Sequence, residues 1–359
     1  MIGGVRLSDD QADLAVIAVN DLIGTLGPSG SARSVDLICD ALEQVAVVRR
    51  FQPERFAQTG GLKKAVRMVY WDLWGMANRA RRESSRVIIH PTNIGHSGRI
   101  PDVLVIHDLM VIEHPELFSR GYRLMASILF RFSAKRAAVV VTPSGYSAQK
   151  VRQWEPKANV VAIPWPVQIK ANEPTTPDWV APRIVVVSST DKHKRVGLAL
   201  AVVMQAREAL SWDFRVDAVL RPGNEHESVM SWISQNDPCG EWITVHRDVS
   251  AEFLDATYQG AFCSLTASID EGYGLPVVEA AAFGVPPVHL NSGALKEFVP
   301  AKERTGSDEA SLLQQLEQLT DSTAWSAEAS RALASARRLS PDRFSVAWRE
   351  LIARLSEQS

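Results

Sequence analysis

The chain has 359 residues, of which 46% are hydrophobic and 22% charged, and its formal net charge is −2. This balance is typical of a soluble globular protein with two domains of ordinary size, and it excludes a largely disordered chain. No run of residues approaches the roughly 18 uninterrupted apolar positions of a membrane-spanning helix. The three cysteines, Cys39, Cys239 and Cys263, are scattered and form neither a disulfide framework nor a metal cluster.

The beginning of the chain and the distribution of charge suggest a setting and a partner. Residues 1–20 carry three acids and a single Arg, which does not indicate a signal peptide, so we expect a cytoplasmic protein. Residues 1–170 hold 22 Lys and Arg against 15 Asp and Glu, whereas the remainder holds 17 against 26. The basic half is expected to meet something anionic. Nucleic acid is not favoured, because no nucleic-acid-binding signature accompanies the basic residues.

Short apolar runs alternate with longer helical patterns in both halves of the chain. The first half has predicted strands at 14–19, 86–90, 102–108, 137–143 and 159–164, and predicted helices near 32–47, 61–82, 119–135 and 145–154. After a Pro-rich linker, the second half has predicted strands at 183–189, 215–220, 242–246, 261–267 and 286–290, and predicted helices near 196–210 and 225–236. Apolar strands interleaved with helices predict two doubly wound parallel sheets with a ligand cleft between the halves.

Two glutamates, Glu271 and Glu279, stand on either side of a glycine-rich turn that follows the strand at 261–267. A helix is predicted to begin at the turn, with Pro276 in its first turn and Gly284 at its end. A helix N-terminus presents unpaired N–H groups, which suit a phosphate, and Glu279 can bind a ribose diol while Glu271 binds a second sugar. The motif therefore predicts a nucleotide diphosphate sugar site, whose turn consists of Gly272, Tyr273, Gly274 and Leu275.

This motif resembles the hallmark of retaining glycosyltransferases of the GT-B fold, in particular the large family 4. Other segments match that family in the same order: "VIHDLMVIEHPELFS" (105–119), "VTPSGYSAQKV" (141–151), "VVAIPWPV" (160–167), "DKHKRVGLALAV" (191–202) and "FSVAWRELIARL" (344–355). The resemblance covers nearly the whole chain, although Ala267 replaces the usual proline before Ser268. It implies an acceptor-side Rossmann-like domain at 1–168, a nucleotide-sugar-binding one at 169–340, and a closing helix at 341–359 that packs back on the first.

The resemblance also implies roles for single residues. Lys194 matches the lysine that contacts the donor diphosphate, and Arg195 beside it can stabilise the charge of the departing nucleotide. Ser188 or Ser189 lies where some members have a further arginine, and Ser189 is the candidate chosen for the site. His107 matches the histidine that hydrogen-bonds the transferred sugar. Asp108 either belongs to the site or caps the following segment.

A Gly/Ser-rich segment after the first strand lies where the family has its phosphate-contacting loop. Gly27, Gly30 and Ser31 are its candidate residues, and an ordinary turn is the alternative. The chain has no Asp-x-Asp and no metal-ligand spacing, so we expect metal-independent transfer. The resemblance implies same-face attack in which the donor's own phosphate oxygen accepts the acceptor proton, with His107, Glu271 and Lys194 as the catalytic residues.

The sequence therefore predicts a retaining hexosyltransferase of surface polysaccharide synthesis, acting on a glycan or lipid-linked acceptor. Its His-Asp-Leu and His-Pro-Glu pattern looks most like that of mannosyltransferases, which favours GDP-mannose as the donor, with UDP-glucose or another UDP-hexose as the alternative. A GT-B nucleotide-sugar epimerase and a non-catalytic nucleotide-sugar binder are the other two classes considered.

Two basic amphipathic segments, 61–82 and 120–136, suggest a membrane contact. The first has a predicted apolar stripe through Leu62, Val66, Val69, Leu73 and Met76, with Tyr70, Trp71 and Trp74 suited to the water–lipid boundary. We expect the N-terminal half to rest peripherally on an anionic membrane at its inner face. The alternative is two core-packing helices with solvated faces.

Overall fold

The structure, a computed structural model, describes residues 15–26, 30–53, 61–96, 98–298 and 308–357. The chain forms two compact units: Met1–Pro166 together with Pro341–Ser359, and Val167–Ser340. Each unit is built on one parallel β-sheet whose strands alternate with helices. The predicted α/β class with two parallel sheets is confirmed.

The N-terminal unit has a six-stranded sheet in the order β2-β1-β3-β4-β5-β6, with every neighbouring pair parallel. Its strands are β1 (Val16–Asn20), β2 (Val47–Phe51), β3 (Val87–His90), β4 (Asp102–Val105), β5 (Val139–Thr142) and β6 (Val160–Ala162). Its helices up to β6 are α1 (Gly30–Leu42), α2 (Gly61–Tyr70), α3 (Met76–Arg82), α4 (Met110–Glu113), α5 (Arg120–Arg136) and α6 (Gly145–Trp154).

Strand β2 was not predicted, and the helix predicted over 32–47 ends earlier, at Leu42. The sequence of β2, Val-Val-Arg-Arg-Phe, lacks a continuous apolar run. The strand lies at the edge of the sheet, and its two arginines are exposed. An edge strand packs against a single neighbour and needs fewer buried side chains than a central one.

The helix predicted over 61–82 is helical throughout, but a π-helical turn, Trp71–Gly75, separates α2 from α3. The prediction that the five apolar residues of this segment form one continuous face is wrong. Leu73 and Met76 are buried, with Met76 packed against the sheet, whereas Val66 is 60% exposed. Tyr70 and Trp74 are also more than half exposed, and the side chain of Leu62 lies outside the described residues.

The C-terminal unit has a five-stranded parallel sheet in the order β11-β10-β7-β8-β9. Its strands are β7 (Arg183–Ser189), β8 (Arg215–Arg221), β9 (Ile243–His246), β10 (Cys263–Thr266) and β11 (Pro287–His289). Its helices are α7 (Val196–Leu210), α8 (His226–Asn236), α9 (Ala251–Tyr258), α10 (Leu275–Ala282), α11 (Leu295–Phe298), α12 (Glu309–Leu319) and α13 (Ser322–Arg337). Helices α9, α11, α12 and α13 were not predicted. The larger of two core clusters in this unit contains Phe214, Phe262 and Trp325, and the Trp325 indole donates to the Phe262 carbonyl at 2.7 Å.

The last helix, α14 (Pro341–Ser356), belongs to the N-terminal unit, as predicted. Trp348 is fully buried, and the ring of Phe344 lies 5.6 Å from that of Trp165. Arg349 donates from Nε to the Ala41 carbonyl at 3.0 Å and from Nη2 to Gln44 Oε1 at 2.6 Å. Apolar burial and charged hydrogen bonds together hold α14 against α1.

Candidate functional site

Two turns meet at the carboxyl edge of the C-terminal sheet. One follows β7 and contains the 3₁₀ turn Lys192–Lys194, and the other follows β10 and leads into α10. They lie side by side because β7 and β10 are neighbouring parallel strands. The Ile269 amide donates to the His193 carbonyl at 2.9 Å, and Arg195 Nε donates to the Ala267 carbonyl at 2.8 Å.

The centre of this site is an ion pair between Lys194 and Glu271. Lys194 Nζ lies 2.6 Å from Glu271 Oε1, and the Ser268 hydroxyl donates to the same oxygen at 2.7 Å. The two side chains are only 22% and 14% exposed. Burial is the strongest influence on the pKa of Glu271 and raises it, but the charge and hydrogen bond of Lys194 and the Ser268 hydroxyl together hold the pKa below its ordinary value. Glu271 is therefore ionised at neutral pH.

Close backbone packing fixes the turn that carries Glu271. The Glu271 amide donates to Asp270 Oδ1 at 2.8 Å, and its carbonyl accepts from the Ala294 amide at 2.9 Å. Gly293 makes this approach possible: its φ is +56°, and a Cβ there would lie 2.4 Å from Asp270 Oδ1 and 2.5 Å from Glu271 N. Gly293 was not predicted as a site residue, although a Ser-Gly pair after a strand is a turn signal.

The turn ends where α10 begins. Gly274 has a φ of +87°, and a Cβ on it would lie 2.2 Å from Leu295 Cδ2, so both its conformation and its contact favour glycine. Pro276 occupies the first turn of α10, as predicted, and Gly284 follows the helix with a φ of +70°. This geometry directs the N-terminus of α10 toward the carboxyl edge of the sheet, next to Glu271.

Glu279 lies in the second turn of α10 and is partly exposed. The neighbouring Tyr273 is buried, and burial, followed by the negative charge of Glu279, raises the pKa of its phenol. The phenol is therefore neutral.

Ser189 and Arg195 hold the loop after β7 in place. Ser189 is buried, and its hydroxyl donates to Asp191 Oδ2 at 2.7 Å. Arg195 adopts a left-handed conformation, with a φ of 47°, and its partial burial lowers the pKa of the guanidinium. The loop after β8 also supports this turn: Asn224 Oδ1 accepts from the Lys192 amide at 2.8 Å. That loop was missed, although its Pro-Gly pair marks a turn.

In the N-terminal unit, His107 follows β4. Its Nε2 lies 3.2 Å from the Pro91 carbonyl oxygen, which can only accept, so Nε2 carries the proton in this hydrogen bond and Nδ1 keeps its lone pair. Burial is the largest influence and lowers the pKa of His107, against the opposing effects of Pro91 and of the Asp108 charge. Asp108 accepts from the Met110 amide at 3.0 Å, so it caps the following segment.

The remaining candidates lie at the first helix. Gly30 begins α1 and Ser31 follows it, but their side-chain surroundings and all of Gly27 lie outside the described residues. Within the described ranges, no three His, Cys, Asp or Glu side chains are grouped so that they could hold a metal ion.

Two α/β units, each built on a parallel sheet and with the C-terminal helix packed on the first, form the GT-B fold of glycosyltransferases. Residues 180–321 match the family described as Glycosyl transferases group 1, and they make up most of the C-terminal unit. The C-terminal unit therefore resembles glycosyltransferases of group 1 over most of its length.

Individual relatives are distant. The serotype-specific mannosyltransferase WbdA of Escherichia coli is 24% identical over 216 residues, and the match covers 54% of this chain and 26% of WbdA. The chain thus spans about a quarter of the length of this curated relative. A sucrose-phosphate synthase from Thermosynechococcus elongatus has a TM-score of 0.77 at 16% identity, with 96% of this chain and 100% of that chain covered. HepE of Anabaena, solved in complex with UDP and glucose, has a TM-score of 0.69 at 15% identity, with 95% of this chain and 99% of that chain covered.

Proposed function

We propose that the chain transfers a hexose from a nucleotide diphosphate sugar to a glycan or lipid-linked acceptor in surface polysaccharide synthesis, with retention of configuration and without a metal. The contact between Lys194 and Glu271 beside the N-terminus of α10 carries this proposal. A cation and helix amides suit a diphosphate, and an ionised carboxylate suits sugar hydroxyls. All three lie at the edge of the sheet where ligands of such folds bind.

The proposed roles follow the position of each group. Lys194 and the amides of the Gly272–Leu275 turn hold the diphosphate, with Arg195 and Ser189 supporting the loop that presents Lys194. Glu271 accepts from hydroxyls of the hexose, and Glu279 accepts from the ribose. Binding of the donor would break the contact between Lys194 and Glu271. Lys194 would then contact the diphosphate, and Glu271 would contact the hexose.

The N-terminal unit would supply the remaining groups. Neutral His107 can accept a hydrogen bond from a sugar hydroxyl at Nδ1 and so orient the transferred hexose. We assign Gly30 and Ser31, at the start of α1, to the phosphate. As the bond from the sugar to the phosphate breaks, the positive charge of Lys194 stabilises the departing nucleotide. The acceptor oxygen bonds to the same face of the sugar, and its proton passes to the departing phosphate oxygen.

Mannose from GDP-mannose is the donor we propose, supported by the mannosyltransferase relative and by the histidine-rich pattern around His107. UDP-glucose or another UDP-hexose is the alternative, since HepE was solved with UDP and glucose. Radiolabelled GDP-mannose and UDP-hexoses, each incubated with the purified chain, test this choice. Release or transfer of label from GDP-mannose supports the proposal. Exclusive consumption of a UDP-hexose, or conversion of a donor to its epimer, contradicts it.

Replacing Glu279 by Ala is expected to weaken binding of the bare nucleotide itself, because a carboxylate that binds ribose acts before any chemistry. Loss of a charged hydrogen bond costs roughly 1.5–3 kcal/mol, or about 10- to 150-fold in affinity. Calorimetric titration with GDP measures this. Glu208→Ala, an exposed site near the end of α7, is the matched control. Unchanged affinity in a folded Glu279→Ala variant would remove Glu279 from the ribose site.

Transfer is expected to survive chelation. Lys194 and the N-terminus of α10 can neutralise the diphosphate without a divalent ion. Activity measured before and after dialysis against EDTA should therefore agree within about twofold, a change worth only about 0.4 kcal/mol. Loss of activity that Mg²⁺ or Mn²⁺ restores would show that a metal takes part.

A peripheral membrane position at the inner face is also proposed. Exposed apolar side chains line both basic helices: Val66, Tyr70 and Trp74 in α2 and the adjoining turn, and Leu124 and Phe132 in α5. Basic residues such as Lys63 and Arg67 flank them, each worth about 1 kcal/mol near an anionic surface. In the part of the chain that the structure covers, no helix is long and apolar enough to cross a membrane.

This position predicts that the protein sediments with anionic liposomes and not with neutral ones, and that rising salt releases it because salt screens exposed charges. Co-sedimentation at increasing NaCl measures both effects. Equal sedimentation with the two liposome types would instead favour a contact that does not depend on the basic residues.

A further inference from the structure

The N-terminal unit contains a cavity of about 700 Å³, within the range of small-molecule binding sites. Most of its wall is apolar and comes from the loop after β1, from α2 and from α5. Representative wall residues are Leu22, Val69, Met125, Leu129 and Phe130. An aliphatic chain would bury apolar surface here at roughly 25 cal/mol per Å², whereas a free sugar would leave these side chains without favourable contacts.

One end of the cavity is polar. Asp72, Thr92, Asn93 and His107 line it. Thr92 and Asn93 follow β3, and His107 follows β4, so these groups lie at the carboxyl edge of the sheet. The Oδ1 atom of Asn93 is buried and has no hydrogen-bond partner in the described part of the chain. A ligand with a hydroxyl or amide donor at this end would supply the missing partner.

Asp72 is a buried carboxylate that the proposed donor chemistry does not use. Its Oδ1 accepts from Asn20 Nδ2 at 2.7 Å, and Asn20 Oδ1 in turn accepts from Trp71 Nε1 at 2.8 Å. Asn20 thus holds the carboxylate in a fixed orientation at the end of β1. Asp72 lies in the π-helical turn Trp71–Gly75, a distortion that often occurs at functional sites.

The environment of Asp72 is unfavourable for a charge unless a ligand compensates it. Burial raises the pKa of Asp72 to about 7, against the lowering effect of the Asn20 hydrogen bond. In the described part of the chain Asn20 is the side chain that donates to the Asp72 carboxyl, and a ligand hydroxyl donating to the same carboxyl would stabilise its charged form.

Aromatic side chains that are exposed to solvent also line the cavity. Tyr70 and Trp74 line the cavity and are 58% and 54% exposed, and Tyr122 of α5 lines it as well. Tyr and Trp favour the boundary between water and lipid. The cavity therefore combines polar groups beside His107, apolar walls and exposed aromatic side chains.

We propose that this cavity is the acceptor site and that its occupant is an amphiphile, with an aliphatic chain against the apolar walls and a hydroxyl hydrogen-bonded to the Asp72 carboxylate beside His107. The inference rests on the proposed glycosyl transfer, because a neighbouring hydroxyl of the same headgroup would receive the hexose and keep its own proton for the departing phosphate oxygen. Within the proposed acceptor classes, it favours a lipid-linked acceptor over a water-soluble glycan.

Calorimetry with n-dodecyl glucoside below its critical micelle concentration tests the binding, with methyl glucoside as the headgroup control. The folded chain is expected to bind one dodecyl glucoside, and methyl glucoside at least tenfold more weakly. Leu129→Glu, which puts a charge in the cavity wall, and Val69→Phe, which fills the cavity, should each weaken dodecyl glucoside at least tenfold. Ile128→Glu alters the adjacent residue of α5, which is 58% exposed, and should retain the affinity of the unaltered chain.

Asp72→Asn keeps the shape of the side chain and removes its charge. It is expected to lower kcat/KM for the amphiphilic acceptor at least tenfold while the affinity for GDP and the thermal midpoint stay unchanged. Equal effects of Ile128→Glu and Leu129→Glu would place the amphiphile on the outer surface of α5 and overturn the inference. Equal transfer to methyl glucoside would also overturn it while leaving the proposed function intact. Binding of the amphiphile without transfer from any donor would support the cavity and contradict the proposed function.

Discussion

Replacing Glu271 by Ala is expected to lower kcat about 10²- to 10³-fold while the affinity for bare GDP stays within about threefold. Removing one group that stabilises the transition state typically costs about 2.7–4 kcal/mol. Glu271 is assigned to the hexose, and GDP has no hexose, so nucleotide binding should not depend on it. Loss of the carboxylate also releases Lys194 from its 2.6 Å contact, which leaves the ammonium available to phosphate.

Steady-state kinetics and calorimetry on the same preparation measure the two effects. His107→Ala should show the same separation, because His107 is also assigned to the transferred sugar. Glu279→Ala serves as the opposite case, with weakened GDP binding. If Glu271→Ala loses as much GDP affinity as Glu279→Ala, the assignment of Glu271 to the hexose is wrong.

Replacing Gly293 by Ala is expected to abolish most activity and to lower the thermal midpoint, although Gly293 has no side chain to touch a substrate. Its φ of +56° already makes a side chain unfavourable by about 1–2 kcal/mol. In addition, the new Cβ would lie 2.4 Å from Asp270 Oδ1 and 2.5 Å from the backbone of Glu271. The turn must therefore shift, and Glu271 moves away from Lys194 and Ser268.

Gly240→Ala is the matched control for this variant. Gly240 has a φ of +66°, but a Cβ there meets no heavy atom within 4 Å. It should show the backbone cost of roughly 1–2 kcal/mol with activity retained. Thermal unfolding and kcat, measured for both variants, separate the cost of the backbone conformation from displacement of Glu271. Equal activity in the two variants would show that the turn tolerates the added atom.

Much of the framework follows from the sequence because the strands that form it are buried on both faces. Within these strands, "IVVV" (184–187) and "VLVI" (103–106) are apolar without interruption, and a central strand of a parallel sheet needs that composition. The start of α10 could also be predicted, because the residues that determine it are close together in the sequence. Gly274, Pro276 and the two glutamates lie within nine residues, and each contributes through its own backbone preference or charge.

Contacts between residues that are far apart in the sequence could be identified only from the tertiary structure. Strand β2 had too few buried side chains to be recognised, since it lies at a sheet edge. The contact between Lys194 and Glu271 joins residues 77 positions apart, and that between Asn20 and Asp72 joins residues 52 apart. Strand order brings the first pair together, and packing of the π-helical turn against the end of β1 brings the second. The sequence by itself determined which side chains could serve chemistry, because composition and turn geometry are local properties. Their pairing was decided only when the strands took their places in the sheets, because that order depends on the packing of the whole unit.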